Sequence, residues 1–172
     1  EAEQEFQEAL KADPQYVDAM ANHATAYVRQ QRYSEAVQQL NRALAIQPNR
    51  ADLHSELARA YVGLERFDQA REEASVAVQL DRDQTTAYNA AGLAAYYAGD
   101  LGDAVEMFRK AIAIDVSRAE SHTNLGLAFF QMRSWSRARE EFQLALKYLP
   151  EATITNTAIQ RSYMYYLVAL TY

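Results

Sequence analysis

The sequence predicts an all-α protein, a solenoid of antiparallel helix pairs stacked in chain order. Three observations carry that prediction. The sequence repeats every 34 residues, its composition favours helices, and each period splits into two helical stripes around a short break.

The repeat shows first in two distant stretches. Residues 2–14 read AEQEFQEALKADP and residues 138–150 read AREEFQLALKYLP, 136 residues or four periods further on. Ala2, Ala36, Ala70, Ala104 and Ala138 form one series, and Ala9, Ala43, Ala77, Ala111 and Ala145 a second. All three prolines, Pro14, Pro48 and Pro150, share a third series, in which Arg82 and Val116 fill the other places. Tyr33, Phe67, Leu101 and Trp135 make a fourth. This is a tandem array without insertions over at least four periods.

Composition agrees and excludes several functions. The 172 residues are 49% hydrophobic and 23% charged, with only five Gly and three Pro, which argues against a turn-rich β-sandwich. The absence of cysteine removes disulfides, thiolate metal sites and a cysteine nucleophile. A net charge of −6 disfavours binding to nucleic-acid phosphates, which needs a basic stripe. No long apolar run suggests membrane insertion. Nothing fixes the compartment; a soluble protein, of the cytoplasm rather than the periplasm, is the expectation. The first residue already stands in a helical pattern, which predicts that the chain is a piece of a longer one.

In order along the chain, residues 1–16 are read as the second helix of a truncated repeat. Full repeats occupy 17–50, 51–84, 85–118 and 119–152. The last of these shows the logic. His122, Leu125, Gly126 and Phe129 recur at helical steps on a first helix, A. The stretch RSWS interrupts it, and Ala138, Phe142, Ala145 and Leu146 form the stripe of a second helix, B. Pro150 marks its stop, because proline cannot continue a helix and restricts the residue before it. Gly126 and Ala138 are expected where the two backbones come closest. Beyond 152 the register falters, so 153–172 are read as an irregular linker and a terminal helix. Its apolar stretch YMYYLVALTY is expected to pack on the preceding helix B.

These residues resemble the tetratricopeptide repeat, a 34-residue helix–turn–helix unit. His122, Leu125, Gly126, Phe129, Ala138, Phe142, Ala145 and Pro150 match its pattern well. Met20, His23, Ala24, Tyr27, Ala36, Leu40, Ala43 and Pro48 match acceptably, as do Tyr88, Ala91, Gly92, Ala95, Ala104, Phe108 and Ala111. His54, Leu57, Ala58, Tyr61, Ala70, Ala74 and Ala77 complete the fourth copy. No repeat carries the tryptophan of the first place, and Ala74 and Ala95 are small where the family prefers an aromatic. The likeness runs from residue 1 to about 150. It implies a right-handed superhelix in which A helices line a concave face and B helices a convex one.

The concave positions implied by the family nominate a peptide-binding groove. Its candidate residues are Asn22, Thr25, Arg29, Arg59, Asn89, Leu93, Tyr96, Thr123, Asn124, Leu127 and Phe130. The first half is polar; in the second, Leu93, Tyr96, Leu127 and Phe130 form an apolar group of the kind that marks a contact surface. Plainer roles fit the same letters. Tyr96 and Phe130 are placed to pack on a neighbouring helix, Asp18, Asp52 and Glu120 complement helix dipoles, and Arg29 and Arg59 could simply be paired with acids or solvated.

One family activity is excluded by sequence. Chaperone-binding members hold a terminal carboxylate with Lys and Asn on one A helix, Asn on the next, and Lys and Arg on the third. Those places hold Ala21, Thr25, Glu56, Thr86 and Ala90, or in the next window Ser55, Arg59, Ala90, Glu120 and Asn124. Neither set makes the clamp. Catalysis, cofactors and metals are not expected either. His23, His54 and His122 occupy framework places without zinc spacing, and Gly92 and Gly126 lie within helices rather than in a phosphate-binding loop. Two readings remain: a module that binds a protein or peptide in its groove within a larger protein or complex, or a scaffold that self-associates or packs on the rest of the chain through its end helices. A spacer in a larger enzyme comes third.

Overall fold

The computed structural model describes residue 13, residues 15–149, residue 163 and residues 165–172. Residues 1–12 of the helix expected within 1–16, the stops at Pro14 and Pro150 and residues 153–162 of the linker lie outside the described residues. Eight helices follow in chain order: α1 (Val17–Arg29), α2 (Tyr33–Ile46), α3 (Ala51–Gly63), α4 (Phe67–Leu80), α5 (Thr85–Ala98), α6 (Leu101–Ile114), α7 (Ala119–Gln131) and α8 (Trp135–Tyr148). Residues 165–169 are also helical. The odd-numbered A helices start at 17, 51, 85 and 119, and the even-numbered B helices at 33, 67, 101 and 135, both in steps of 34. Each A helix packs antiparallel on its own B helix, and each B helix on the next A, so the fold is an all-α solenoid.

The two alanine series are the reason the helices can stack so closely. Ala36, Ala70, Ala104 and Ala138 are fully buried, as are Ala43, Ala77, Ala111 and Ala145. Within a pair, the contact is set by one matched couple. An ideal Cβ on Gly92 would lie 2.4 Å from the Phe108 ring, and one on Gly126 would lie 2.5 Å from the Phe142 ring. Both phenyl groups are fully buried and have nowhere to swing. In the first two pairs the glycine is Ala24 or Ala58, and its partner shrinks to Leu40 or Ala74. Glycine admits phenylalanine; alanine admits less.

Around Ala74 the helices close up rather than leave a void. Ala58, Ala74 and Ala90 form an alanine-only cluster joined by Ala91. There α3 and α5 lie against each other over more of their length than the other neighbouring A helices do. Larger clusters flank it, one around Met20, Leu40, Leu53, Leu57 and Tyr61, the other around Phe108, Leu125, Phe129 and Phe142.

Turns repeat as faithfully as helices. Every A helix ends in a Schellman turn, in which an amide just past the helix donates back to a carbonyl five residues earlier. Arg32 to Tyr27, Arg66 to Tyr61, Asp100 to Ala95 and Ser134 to Phe129 are all 2.9 Å. The residue just before each donor is left-handed: Gln31 (φ 61°), Glu65 (φ 59°), Gly99 (φ 91°) and Arg133 (φ 58°). Only Gly99 adopts that conformation without a Cβ penalty. The B-to-A connections use a different device. Asp13, Asp81 and Asp115 each accept a bond from the amide two residues on, at 2.9 to 3.0 Å, and Pro48 follows Gln47 where the aspartate is missing.

Two histidines rivet A to B. The ring nitrogens of His54 lie 2.6 Å from Glu73 Oε2 and 2.9 Å from the Pro48 carbonyl oxygen. His122 repeats this 68 residues on, 2.7 Å from Glu141 Oε2 and 2.9 Å from the Val116 carbonyl oxygen. At the far end, Leu167 and Thr171 are buried. Arg139 Nη2 on α8 donates to the Thr171 carbonyl at 2.7 Å, and its guanidinium lies 4.0 Å from the centre of the Tyr172 ring.

Two stability experiments test these constraints. Gly126→Ala is expected to cost about 1–3 kcal/mol by overpacking. Adding Phe142→Leu, which recreates the Ala24–Leu40 couple, makes the double variant about 1 kcal/mol less destabilised than the sum of the single changes. In denaturant melts, Glu65→Gly gains and Gly99→Ala loses about 0.5–1 kcal/mol, because a Cβ on Gly99 meets no atom within 4 Å and only backbone strain changes.

Candidate functional site

The A helices are parallel neighbours, so residues at matching positions on α1, α3, α5 and α7 form rows along one face. At the N-terminal end of these helices the row is acidic and tied by arginine. Arg50, just before α3, donates twice to Asp52, Nε to Oδ1 at 2.9 Å and Nη2 to Oδ2 at 2.6 Å. Its Nη1 crosses to Asp18 Oδ1 on α1 at 2.6 Å. Arg118 repeats the local half of this arrangement with Glu120 at 3.2 Å. The Arg50 guanidinium holds the Asp52 carboxyl below the usual carboxylate range. The acids of this row thus serve the frame rather than standing free.

Toward the other end of the A helices a cavity of about 440 Å³ opens across three of them. Val28 and Arg29 of α1, Arg59, Val62 and Gly63 of α3, and Leu93 and Tyr97 of α5 line it. The A-to-B turns add Glu65, Tyr33 and Phe67. The Schellman turns place these two rings, because they set where each B helix begins. Tyr33 lies over Gly63, where a Cβ would meet its ring at 2.4 Å. Phe67 lies parallel to Tyr97, 6.0 Å between centroids with 6° between planes. Arg59 Nη1 donates to Glu56 Oε1 at 2.8 Å. Arg29 is exposed and makes no ion pair among the described residues.

Further along, Leu93, Tyr96, Leu127 and Phe130 are half-buried and belong to one apolar cluster, which Val168 also joins. Tyr96 Oη donates to Gln131 Oε1 at 3.3 Å, and Phe130 meets the Trp135 ring edge-on at 5.0 Å. Burial pushes the Tyr96 phenol up, with smaller contributions from Tyr97 and from Tyr163 of the terminal segment.

The candidate residues therefore divide. Arg29, Arg59 and Leu93 share the cavity, and Leu93, Tyr96, Leu127 and Phe130 share the apolar cluster. Asn22 is exposed on α1. Thr25 and Thr123 turn their hydroxyls back to the Ala21 and Ala119 carbonyls at 3.1 and 2.9 Å. Asn89 and Asn124 are buried, and Asn89 Nδ2 donates to Ser121 Oγ on α7 at 2.8 Å. Tyr33, Phe67 and Tyr97 enter the cavity although sequence reasoning did not nominate them. Tyr33 and Phe67 had a signal, being the first two members of the series at the start of helix B, aromatic at three of its four places. Among the described residues no group of three or more His, Asp or Glu is placed to hold a metal, and no helix is long and apolar enough to cross a membrane.

Comparison with known proteins places this geometry. The sequence matches the tetratricopeptide repeat over residues 1–55 and 30–94, and a second TPR repeat description over 92–132. No curated protein matches it. Among solved structures, a thermophilic TPR protein of Thermus thermophilus superposes with a TM-score of 0.81 at 19% identity, covering 94% of this chain and 87% of that one. YrrB, a TPR protein with an unusual peptide-binding site, gives 0.61 at 23% identity over 92% and 80%. MamA gives 0.65 at 22% identity over 85% of each chain.

The Arg50 pair predicts a pH effect. A carboxyl held below its unfolded value adds stability above that value, about pH 4, and loses it as pH falls toward its folded value. Thermal melts should therefore show wild type more stable than Asp52→Asn near neutrality, with the gap narrowing as the pH falls below about 4.

Proposed function

The chain belongs to the tetratricopeptide repeat family, and from that premise we propose that it is a protein-interaction module whose A-helix trough holds a segment of a partner protein. Domains of this family are typically non-catalytic interaction modules. The observation that supports the trough as the working surface is the cavity that unites Arg29, Arg59 and Leu93 from three successive A helices. A mixed lining of two guanidinium groups, three aromatic rings and aliphatic side chains suits a peptide, which offers both polar and apolar groups. Beyond it, Leu127 and Phe130 extend the apolar part of the same face. The full repeats are proposed as 17–50, 51–84, 85–118 and 119–152, within one array.

A second reading has its own observation. Tyr165, Tyr166 and Tyr172 of the terminal segment are 59%, 58% and 86% exposed. Three exposed aromatic rings on one short segment suit self-association through that end.

One experiment separates the two. A photo-crosslinking residue is placed at Leu93 in the trough, at Lys110 on α6, or at Tyr165, and the protein is irradiated in its native cells. The trough reading expects adducts with a partner from Leu93 and none from Lys110. The scaffold reading expects a crosslinked dimer of the chain from Tyr165. Partner adducts from Lys110 alone would show that the convex side does the work.

A further inference from the structure

Resting on the trough as a peptide site, we propose that the cavity between Arg29, Arg59 and Tyr97 selects a segment with an internal acidic side chain, Asp or Glu, followed by apolar residues. The lining is rich in donors. Arg29 is exposed and makes no ion pair among the described residues, so its whole guanidinium is available. Arg59 commits Nη1 to Glu56 and keeps its other N–H groups. Tyr33 and Tyr97 line the cavity too, and Glu65 is the one carboxylate in the lining. Two arginines against one carboxylate in the lining call for a guest that brings acceptors. Guanidinium groups favour a carboxylate over a neutral oxygen, because the bonds are charge-assisted and the planar fork can bind two oxygens at once.

Two further features narrow the guest. The chain carries a net charge of −6, so a long acidic tract is repelled by the rest of the molecule while one or two acids are held locally. The trough also continues past the cavity to Leu127 and Phe130, so a bound segment passes the arginines and sets apolar side chains beyond them. That continuity favours an internal residue over a chain end.

The test starts from a phage library of random dodecapeptides panned on the full chain. An enriched peptide is resynthesised with its C-terminus amidated and titrated by calorimetry. Enriched peptides are expected to carry Asp or Glu beside apolar residues. Replacing that acid by its amide should weaken binding about tenfold. Arg29→Gln with Arg59→Gln, folded by circular dichroism, should lose the same factor and make acid and amide peptides equal. Glu65→Gln should tighten binding of the acidic peptide. If the amide peptide binds equally well while Leu93→Ala still weakens it, the trough stands and the carboxylate is wrong. If only peptides with a free C-terminus bind, the internal acid is wrong. If no enriched peptide responds to Leu93→Ala or Leu127→Ala, both the selectivity and the trough reading fall.

Discussion

The fold depends on how closely an A helix can approach its B helix, and that distance is set by a single atom. Where a phenylalanine of helix B fills the space, the facing residue of helix A must lack a Cβ, as at Gly92 and Gly126. Where helix A carries alanine, the partner is Leu40 or Ala74. The two buried alanine series enforce the same closeness elsewhere. Each helix pair meets the same packing demand with a couple whose volumes complement each other or, at Ala58 and Ala74, by closer approach.

From that spacing the trough follows. Parallel A helices bring residues far apart in sequence into rows, and the left-handed turn at the end of each A helix decides where the next B helix begins. That turn delivers Tyr33 and Phe67 to the cavity beside Arg29, Arg59 and Leu93. The polar end of the row is tied differently. Arg50 joins α1 to α3 through Asp18 and Asp52, so a charged interaction links these two repeats beside their apolar contacts.

The period, the helix pairs and the fully buried alanines were legible because stacking demands the same residue type at the same place in every copy. Features that tolerate different residues were hidden. Gln31, Glu65, Gly99 and Arg133 share one backbone state, yet only one is the residue that advertises it. The aspartates at 13, 81 and 115 did carry a signal, a second series beside the prolines, that periodicity of apolar residues does not look for. In the candidate site, Arg29, Arg59 and Leu93 line one cavity, a grouping that the split into a polar and an apolar half did not foresee. Asn89 lies buried instead, bonded to Ser121, because how far a concave position sinks depends on the separation of α5 and α7, which letters do not encode. Tyr97 was missed for a related reason: its direction depends on where Phe67 stands.

The alanine-only contact at Ala58, Ala74 and Ala90 has a mechanical consequence. A stack of helices behaves as a spring, and its compliance comes from side chains that can change rotamer as neighbouring coils tilt. Alanine has no such freedom. At this contact the middle of the array has no side-chain rotamers through which to yield.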